Sequence, residues 1–215
     1  MNVTYFYSAL GWAGWCVLHS ALISIPVTGY LKKKLGDGFR FYRLFYNVFS
    51  LVTLIPVLLY SISIRQEAIF RWEGPLAIAR YLLLAVSIGL FLIGGRNYSL
   101  LQFLGIAQLR AGGGNRSLSG YGHFVVSGIH RVIRHPWYLA GLLIVWARDL
   151  GFSSILNNLV IDSYFVIGAI LEERKLVLEF GETYRQYQLQ VSRFFPFRWL
   201  RTRFTGHPQP PQPHT

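Results

Sequence analysis

The stretch Tyr5–Leu31, YFYSALGWAGWCVLHSALISIPVTGYL, decides the fold class because it holds no formally charged residue. About 20 apolar residues suffice for a helix to cross the ~30 Å hydrocarbon core of a bilayer. The stretch lacks the positively charged start of a signal peptide, and Lys32-Lys33-Lys34 follows it as a stop signal. We therefore expect a membrane-spanning helix that stays in the mature protein.

Four more apolar runs follow along the chain. Leu44–Ile64 is uncharged and long enough to cross a bilayer, and Tyr81–Gly95 and the shorter Trp137–Trp146 are the next two. The last run, Ile155–Leu171, carries Asn157, Asn158 and Asp162, so we expect it to face protein or a cavity rather than lipid. The sequence thus predicts about five transmembrane helices.

The composition supports the same class of protein. Hydrophobic residues make up 53% of the chain and charged residues only 14%, whereas soluble domains average about 25% charged residues. These values exclude a disordered protein or a nucleic-acid-binding tail. We expect an all-α, polytopic membrane protein with a cytoplasmic helical extension at its C-terminal end.

The basic residues indicate an orientation in the membrane. Five Lys or Arg residues lie in residues 32–43, five in 96–135 and seven in 172–215, whereas the segments on the opposite side hold four. The positive-inside rule then places the N-terminus outside and the C-terminus in the cytoplasm. The net charge of +12 favours contact with anionic membrane lipids rather than nucleic acid.

The domain organisation is expected to be simple. We assign residues 1–206 to one integral-membrane domain and 207–215 to a disordered, Pro-rich tail. The Gly-rich segment Arg110–Gly128 suits a mobile loop, with a plain linker as the alternative. The single Cys16 excludes an intramolecular disulfide and a thiolate zinc cage, and we expect no metal site.

A helical pattern continues beyond the last apolar run. From Glu172 to Arg193 one apolar stripe recurs at helical spacing, formed by Leu176, Phe180, Tyr184, Tyr187 and Val191. We expect one long helix that leaves the membrane and lies along or above it.

The tripeptide Arg134-His135-Pro136 is predicted to begin a helix. Proline suits the first helical turn because its fixed φ fits there and its missing N–H would have had no partner. Such a helix start combines free N–H groups with the charge of Arg134 and forms an anion site. The alternative is a basic residue that reaches lipid headgroups before a membrane span.

The adjacent carboxylates Glu172-Glu173 stand at the end of an otherwise apolar helix. They repel each other and lose hydration there unless they bind donors or cations. The neighbouring Arg174 and Lys175 could neutralise them, or they could bind a cofactor that carries a ribose diol, an ammonium or a sulfonium group. The aromatic residues that follow suit a base or a cation, and Arg193 stands shortly before the helix-ending Pro196.

Three segments occur in a characteristic order: Arg134-His135-Pro136-x-Tyr138-x-x-Gly141, Glu172-Glu173, and Phe180-Gly181-Glu182 through Pro196. Together they resemble the isoprenylcysteine carboxyl methyltransferase superfamily of integral-membrane, S-adenosylmethionine-dependent methyltransferases. The resemblance covers about residues 95–197. Further upstream, Trp15-x-x-x-His19-Ser20 and a later basic turn resemble its bacterial thiol methyltransferase branch.

The resemblance implies roles for individual residues. S-Adenosylmethionine would bind between the Arg-His-Pro helix start and the Glu-Glu helix, and the cofactor-binding residues would be Arg134, His135, Pro136, Tyr138, Gly141, Glu172, Glu173, Tyr184 and Tyr187. Arg193 would orient an anionic acceptor, with Glu172 an alternative base. The acceptor would be a small or lipid-soluble thiol or carboxylate that enters from the bilayer. His19, polar within a span, either binds this substrate or makes a packing hydrogen bond.

Three alternatives stay open. A phospholipid N-methyltransferase would carry a Gly-x-Gly motif, whereas Gly94 and Gly95 are adjacent here. A sterol-type membrane reductase shares the Arg-His-Pro pattern and would use a nicotinamide cofactor. A haem-binding isomerase relative would draw its ligand from His19, His123, His130 or His135. The oligomeric state cannot be predicted from these patterns.

Overall fold

A computed structural model of the protein describes residues 3–96, 101, 104–106, 109 and 126–205. Within these residues the longer elements are eight α-helices: α1 Val3–Ile23, α2 Ile25–Leu35, α3 Tyr42–Ser63, α4 Leu76–Gly95, α5 Pro136–Trp146, α6 Phe152–Phe180, α7 Glu182–Gln190 and α8 Phe197–Thr205. Short 3₁₀ turns cover Gly36–Phe41 and Gly128–Arg131. The predicted all-α class is confirmed.

Four helical stretches of the described chain are long and apolar enough to span a membrane: Val3–Ile23, Ile25–Ser63, Leu76–Gly95 and Phe152–Phe180. The polytopic membrane architecture is therefore confirmed. The fourth predicted span differs, because α5 has only 11 residues. A helix of this length rises about 16 Å, roughly half of the ~30 Å hydrocarbon core.

The first apolar run is divided in two. Ser24 adopts an extended backbone (φ −65°, ψ 151°) between α1 and α2, so the predicted continuous helix Tyr5–Leu31 is corrected. The break is explained by Pro26 in the first turn of α2, because proline lacks the N–H that a continuous helix needs. Lys32, Lys33 and Lys34 occupy the last turn of α2, where positive charge is favourable.

The described chain divides into two compact units. The first unit holds α1, α2, α3 and the beginning of α6. In it, α1 runs antiparallel to α3, since Ser8 Oγ lies 3.1 Å from Ser61 Oγ and His19 Nδ1 lies 3.0 Å from Ser50 Oγ. Asn157 of α6 donates a hydrogen bond to Ser8 at 2.9 Å. Asn157 and Asn158 are both buried, as expected for a helix face that meets protein.

The second unit contains α4, α5, the rest of α6, α7 and α8. Helices α4 and α5 pack closely, because Ser87 Oγ donates to the Ala140 carbonyl at 2.8 Å and Trp137 Nε1 to the Phe91 carbonyl at 3.1 Å. A Cβ on Gly94 would lie 2.7 Å from Trp137 Cδ1. This glycine therefore allows the end of α4 to approach the start of α5.

The helical extension beyond the membrane is not continuous. Helix α6 ends at Phe180, and Gly181 takes a positive φ of 57° before α7 begins at Glu182. The predicted single helix from Glu172 to Arg193 is thus wrong, because a left-handed glycine ends a helix and redirects the chain. The residues of the predicted apolar stripe nevertheless pack together. Tyr184, Tyr187 and Val191 form a buried cluster against Leu176 and Phe180.

Two sequence predictions fall outside the described residues. The Pro-rich tail 207–215 is one, and the Gly-rich segment up to residue 125 is the other. The assignment of residues 1–206 to one domain stays a prediction.

Candidate functional site

The site begins at the first residue of α5. Pro136 occupies that position and His135 caps the helix with φ −123° and ψ 67°, as the Arg-His-Pro pattern predicts. The two residues before Pro136 pair with a distant segment, because Arg134 N–H donates to the Ser192 carbonyl at 2.9 Å and His135 N–H to the Arg193 carbonyl at 3.0 Å. This pairing brings Arg193 beside the helix start.

Glu173 lies at the centre of the site and is only 2% exposed. Its Oε1 accepts hydrogen bonds from Arg134 Nε at 2.8 Å and Arg193 Nε at 3.1 Å, and lies 3.0 Å from His135 Nε2. Its Oε2 accepts from Arg193 Nη2 at 2.8 Å and Gln188 Nε2 at 2.9 Å. A buried carboxylate is stable when it is paired and hydrogen-bonded in this way.

These contacts show which groups neutralise Glu173, and its predicted role in cofactor binding stays a prediction. Its carboxylate is neutralised from within the chain, but by Arg134 and Arg193 rather than by the adjacent Arg174 and Lys175. Hydrogen bonding to Glu173 also raises the pKa of the Arg193 guanidinium. Glu173 therefore holds three segments of the chain together.

The side chain of Arg134 also caps the C-terminal end of helix α7. Its Nη1 donates to the Gln188 carbonyl at 3.0 Å and to the Val191 carbonyl. The last carbonyls of a helix have no partner within it, so a guanidinium that binds them stabilises the helix end. Arg134 thereby fixes α7 relative to the start of α5.

Glu172 differs from its neighbour because its side chain is 36% exposed. Its Oε2 lies 3.8 Å from His135 Nδ1, so the His135 ring stands between the two carboxylates. Of the pair, Glu172 is thus the carboxylate with surface available to a ligand.

Tyr138 and Gly141 face α6. The Tyr138 ring lies 5.2 Å from the His135 ring and 5.8 Å from the Phe165 ring, measured between centroids. A Cβ on Gly141 would come within 2.6 Å of Phe165 Cε2. The structure therefore gives Gly141 a packing position, and its contact with a cofactor stays a prediction.

We expect Gly141→Ala to lower the thermal stability of the protein. The new methyl group must displace the Phe165 ring, and overpacking of this kind costs about 1–3 kcal/mol. The measurement is the midpoint of thermal unfolding in detergent micelles. Gly89→Ala on α4 is the matched control, because a Cβ there meets nothing within 4 Å. Equal midpoints for the two variants would contradict the close contact.

Tyr184 and Tyr187 lie inside α7's buried cluster. Tyr187 donates its hydroxyl hydrogen to the His130 carbonyl at 2.6 Å, and burial raises the pKa of the Tyr184 hydroxyl. Both side chains therefore stabilise the packing of α7. Their predicted role in cofactor binding stays a prediction.

An open cleft of about 560 Å³ adjoins the Glu173 cluster. This volume is in the range of small-molecule sites. Its lining combines apolar side chains with polar ones, namely Ile170, Val177, Leu178, Glu173, Arg174, Gln188 and Arg193. Arg193 reaches the cleft with a side chain that is 36% exposed.

Gln188 is a residue of the site that was not predicted from the sequence. It binds Glu173 and lines the cleft, but a lone glutamine outside the apolar stripe carries no sequence signal of such a role. Phe194, with its ring 6.1 Å from that of His135, was missed for the same reason.

His19 belongs to the first compact unit. Its Nε2 lies 2.7 Å from the Tyr46 hydroxyl oxygen, and its ring stacks on Trp15 at 4.8 Å. These contacts include the packing hydrogen bonds that were the alternative interpretation. Its role in substrate binding stays a prediction.

Comparison with known proteins identifies a family and several relatives. The family described as NnrU protein matches residues 8–149. Methanethiol S-methyltransferase of Pseudomonas sp. (strain GM41(2012)) is 38% identical over 71 residues, which cover 33% of this chain and 27% of the relative. The enzyme of the same name from Pseudomonas deceptionensis is 36% identical over 76 residues, or 35% and 29% of the two chains.

A third relative is methanethiol S-methyltransferase 1 of Bradyrhizobium diazoefficiens, 37% identical over 71 residues that cover 33% of this chain and 25% of the relative. The chain thus spans less than a third of the length of these curated relatives. No solved structure matches the chain significantly.

The family and the names of these relatives agree with the resemblance to integral-membrane methyltransferases that the Arg-His-Pro and Glu-Glu segments indicated. The family match extends over most of the chain, from α1 to the end of α5. The chain therefore belongs to the NnrU family.

Proposed function

We propose that the protein is an integral-membrane methyltransferase that transfers a methyl group from S-adenosylmethionine to a small, lipid-soluble thiol. The observation that carries the proposal is the cluster of Arg134, His135, Glu173 and Arg193 beside an open cleft. Relatives named methanethiol S-methyltransferase support a thiol as the acceptor. A carboxylate acceptor, which the sequence left open, has no such support.

The chemistry of the cleft fits S-adenosylmethionine. The apolar side chains of Ile170, Val177 and Leu178 suit the adenine ring, while Arg174 suits a carboxylate. Glu172 is not among the residues that line the cleft, and its contact with the cofactor stays a prediction. When bound, S-adenosylmethionine supplies a methyl group that its sulfonium already activates, so most of the protein's contribution is positioning.

Arg193 is proposed to stabilise the acceptor thiolate. A nearby cation lowers the pKa of a thiol and so favours its nucleophilic form. Glu173 holds two nitrogens of the Arg193 guanidinium, which fixes the orientation of the group while its partly exposed side chain lines the cleft. Glu172, half-exposed near His135, is the alternative base.

The proposal is tested by transfer of a labelled methyl group from S-adenosylmethionine to a panel of acceptors. The panel contains a small alkyl thiol, a prenylcysteine, a fatty acid and phosphatidylethanolamine, offered to the purified protein in lipid nanodiscs. We expect rapid methylation of the alkyl thiol. Methylation of phosphatidylethanolamine alone would favour a phospholipid N-methyltransferase instead.

The same preparation tests the two remaining alternatives. A haem-binding protein would show a Soret band, and a reductase would be protected from thermal unfolding by a nicotinamide nucleotide rather than by S-adenosylmethionine. Of the candidate haem ligands, His19, His130 and His135 have rings that already contact protein groups, and His123 lies outside the described residues.

The proposed orientation has the N-terminus outside and the C-terminal helices in the cytoplasm of a bacterial inner membrane. It is supported by the backbone pairing of Phe70 with Leu150, which places the end of α3 and the start of α6 on one side. Since α3 crosses once in this proposal, Tyr42 and the basic residues of 32–43 lie on the opposite side. That side carries most of the basic residues.

Reporter fusions test this orientation. Green fluorescent protein, which reports a cytoplasmic location, should fluoresce when it is fused at Lys34 or after Arg203. Alkaline phosphatase, which reports a location outside the cytoplasm, should be active when it is fused at Glu67. Glu67 serves as the control because it lies in the segment between α3 and α4. Opposite locations for Lys34 and Arg203 would overturn the orientation.

A further inference from the structure

Helix α8 exposes a stripe of large apolar side chains. Phe197, Leu200 and Phe204 recur at spacings of three and four, which places them on one face of the helix. Phe197 is 69% exposed and Phe204 is 85% exposed. An apolar stripe of this kind on a helix outside the membrane spans marks an interaction surface.

Positive charge borders this stripe on both sides. Arg201 and Arg203 are exposed on the two flanks of the apolar face, and the Arg203 guanidinium lies 5.5 Å from the centre of the Trp199 ring. The chain contains no acidic residue from position 183 to position 215. Any partner of α8 must therefore be both apolar and anionic.

Hydrogen bonds place the start of α8 close to the membrane interface. The Arg198 N–H donates to Ser192 Oγ at 3.1 Å, and its Nη1 donates to the Gln188 carbonyl at 2.6 Å. Ser192 pairs with Ile133, which stands three residues before the start of the apolar helix α5. Helix α8 is thus anchored beside the end of a membrane-embedded helix.

We propose that α8 binds the anionic surface of the membrane. Its apolar stripe enters the boundary between headgroups and acyl chains, and Arg201 and Arg203 contact lipid phosphates from its two flanks. Amphipathic helices with basic flanks bind bilayers in this manner, and the aliphatic stems of arginine allow the charged ends to reach the headgroups. Charge complementarity identifies the partner as an anionic phospholipid.

A nitroxide label tests the proposal in the full chain. Phe204→Cys is labelled in a Cys16→Ser background and reconstituted into nanodiscs of phosphatidylcholine, with or without phosphatidylglycerol. We expect phosphatidylglycerol to raise the label's accessibility to oxygen and to lower its accessibility to a water-soluble nickel complex. The proposal would be overturned if the label stayed in water in both kinds of nanodisc, or if it entered the bilayer equally with and without phosphatidylglycerol.

Paired variants test the role of the arginines. Arg201→Gln combined with Arg203→Gln should weaken the phosphatidylglycerol effect, by about fivefold for each arginine removed. Lys175→Gln combined with Arg185→Gln is the matched control, because it removes the same charge from exposed positions outside α8. Equal losses in the two double variants would mean that overall charge, rather than α8, attracts the lipid.

Discussion

Replacing Glu173 by alanine is expected to lower the free energy of unfolding by about 3–5 kcal/mol, the usual cost of removing one partner from a buried ion pair. The variant leaves Arg134 and His135 buried without their carboxylate. It also frees Arg193 and Gln188, so the segment after α7 loses its attachment to α6. The shift of the thermal unfolding midpoint in nanodiscs measures this loss.

Glu172→Ala is the matched control for that experiment. The two residues are adjacent on α6 and carry the same charge, but the Glu172 side chain is 36% exposed and contacts only the rim of the cluster, at His135. We expect a small change in its unfolding midpoint. If the two alanine variants unfolded at the same temperature, the central role of Glu173 would be wrong.

Arg193→Lys is expected to reduce turnover of a small thiol by about 100-fold, the usual cost of misplacing or losing one stabilising group. Lysine keeps the positive charge but cannot reproduce the two parallel hydrogen bonds that Arg193 makes to Glu173. The affinity for S-adenosylmethionine, measured by calorimetry, should change little. This prediction rests on the proposed methyl transfer.

Arg185→Lys provides the comparison, because Arg185 is an exposed residue of α7 whose contact with Glu182 spans 3.8 Å. It should leave both turnover and stability near their original values. Arg193→Lys protein that folds normally and retains full turnover would exclude Arg193 as the residue that orients the acceptor.

Much of the site could be predicted because its signals are local. Pro136 marks the start of α5 from its fixed φ alone, and the apolar stripe identifies the cluster around Tyr184. The requirement that Glu173 have a partner also follows from its place in an apolar helix. These inferences depend only on residues within a few turns of one another.

The identity of the partners could not be predicted, because it depends on distant pairing. Arg134 and Arg193 lie 39 and 20 residues from Glu173 along the chain, and no local pattern favours them over Arg174. The break at Gly181 was visible as a glycine followed by an acidic residue, which is typical of one helix ending and another beginning. The apolar stripe continues across it and suggested one helix.

The sharing of Glu173 among four side chains has an evolutionary consequence. Loss of Glu173 leaves Arg134 buried without its counterpart, and loss of either arginine leaves Glu173 with one guanidinium instead of two. Single changes are therefore selected against even when a compensated pair would be tolerated. Substitutions at positions 134, 173 and 193 should therefore be correlated among homologous sequences. Lineages that lose the carboxylate at position 173 are expected to have replaced both arginines as well.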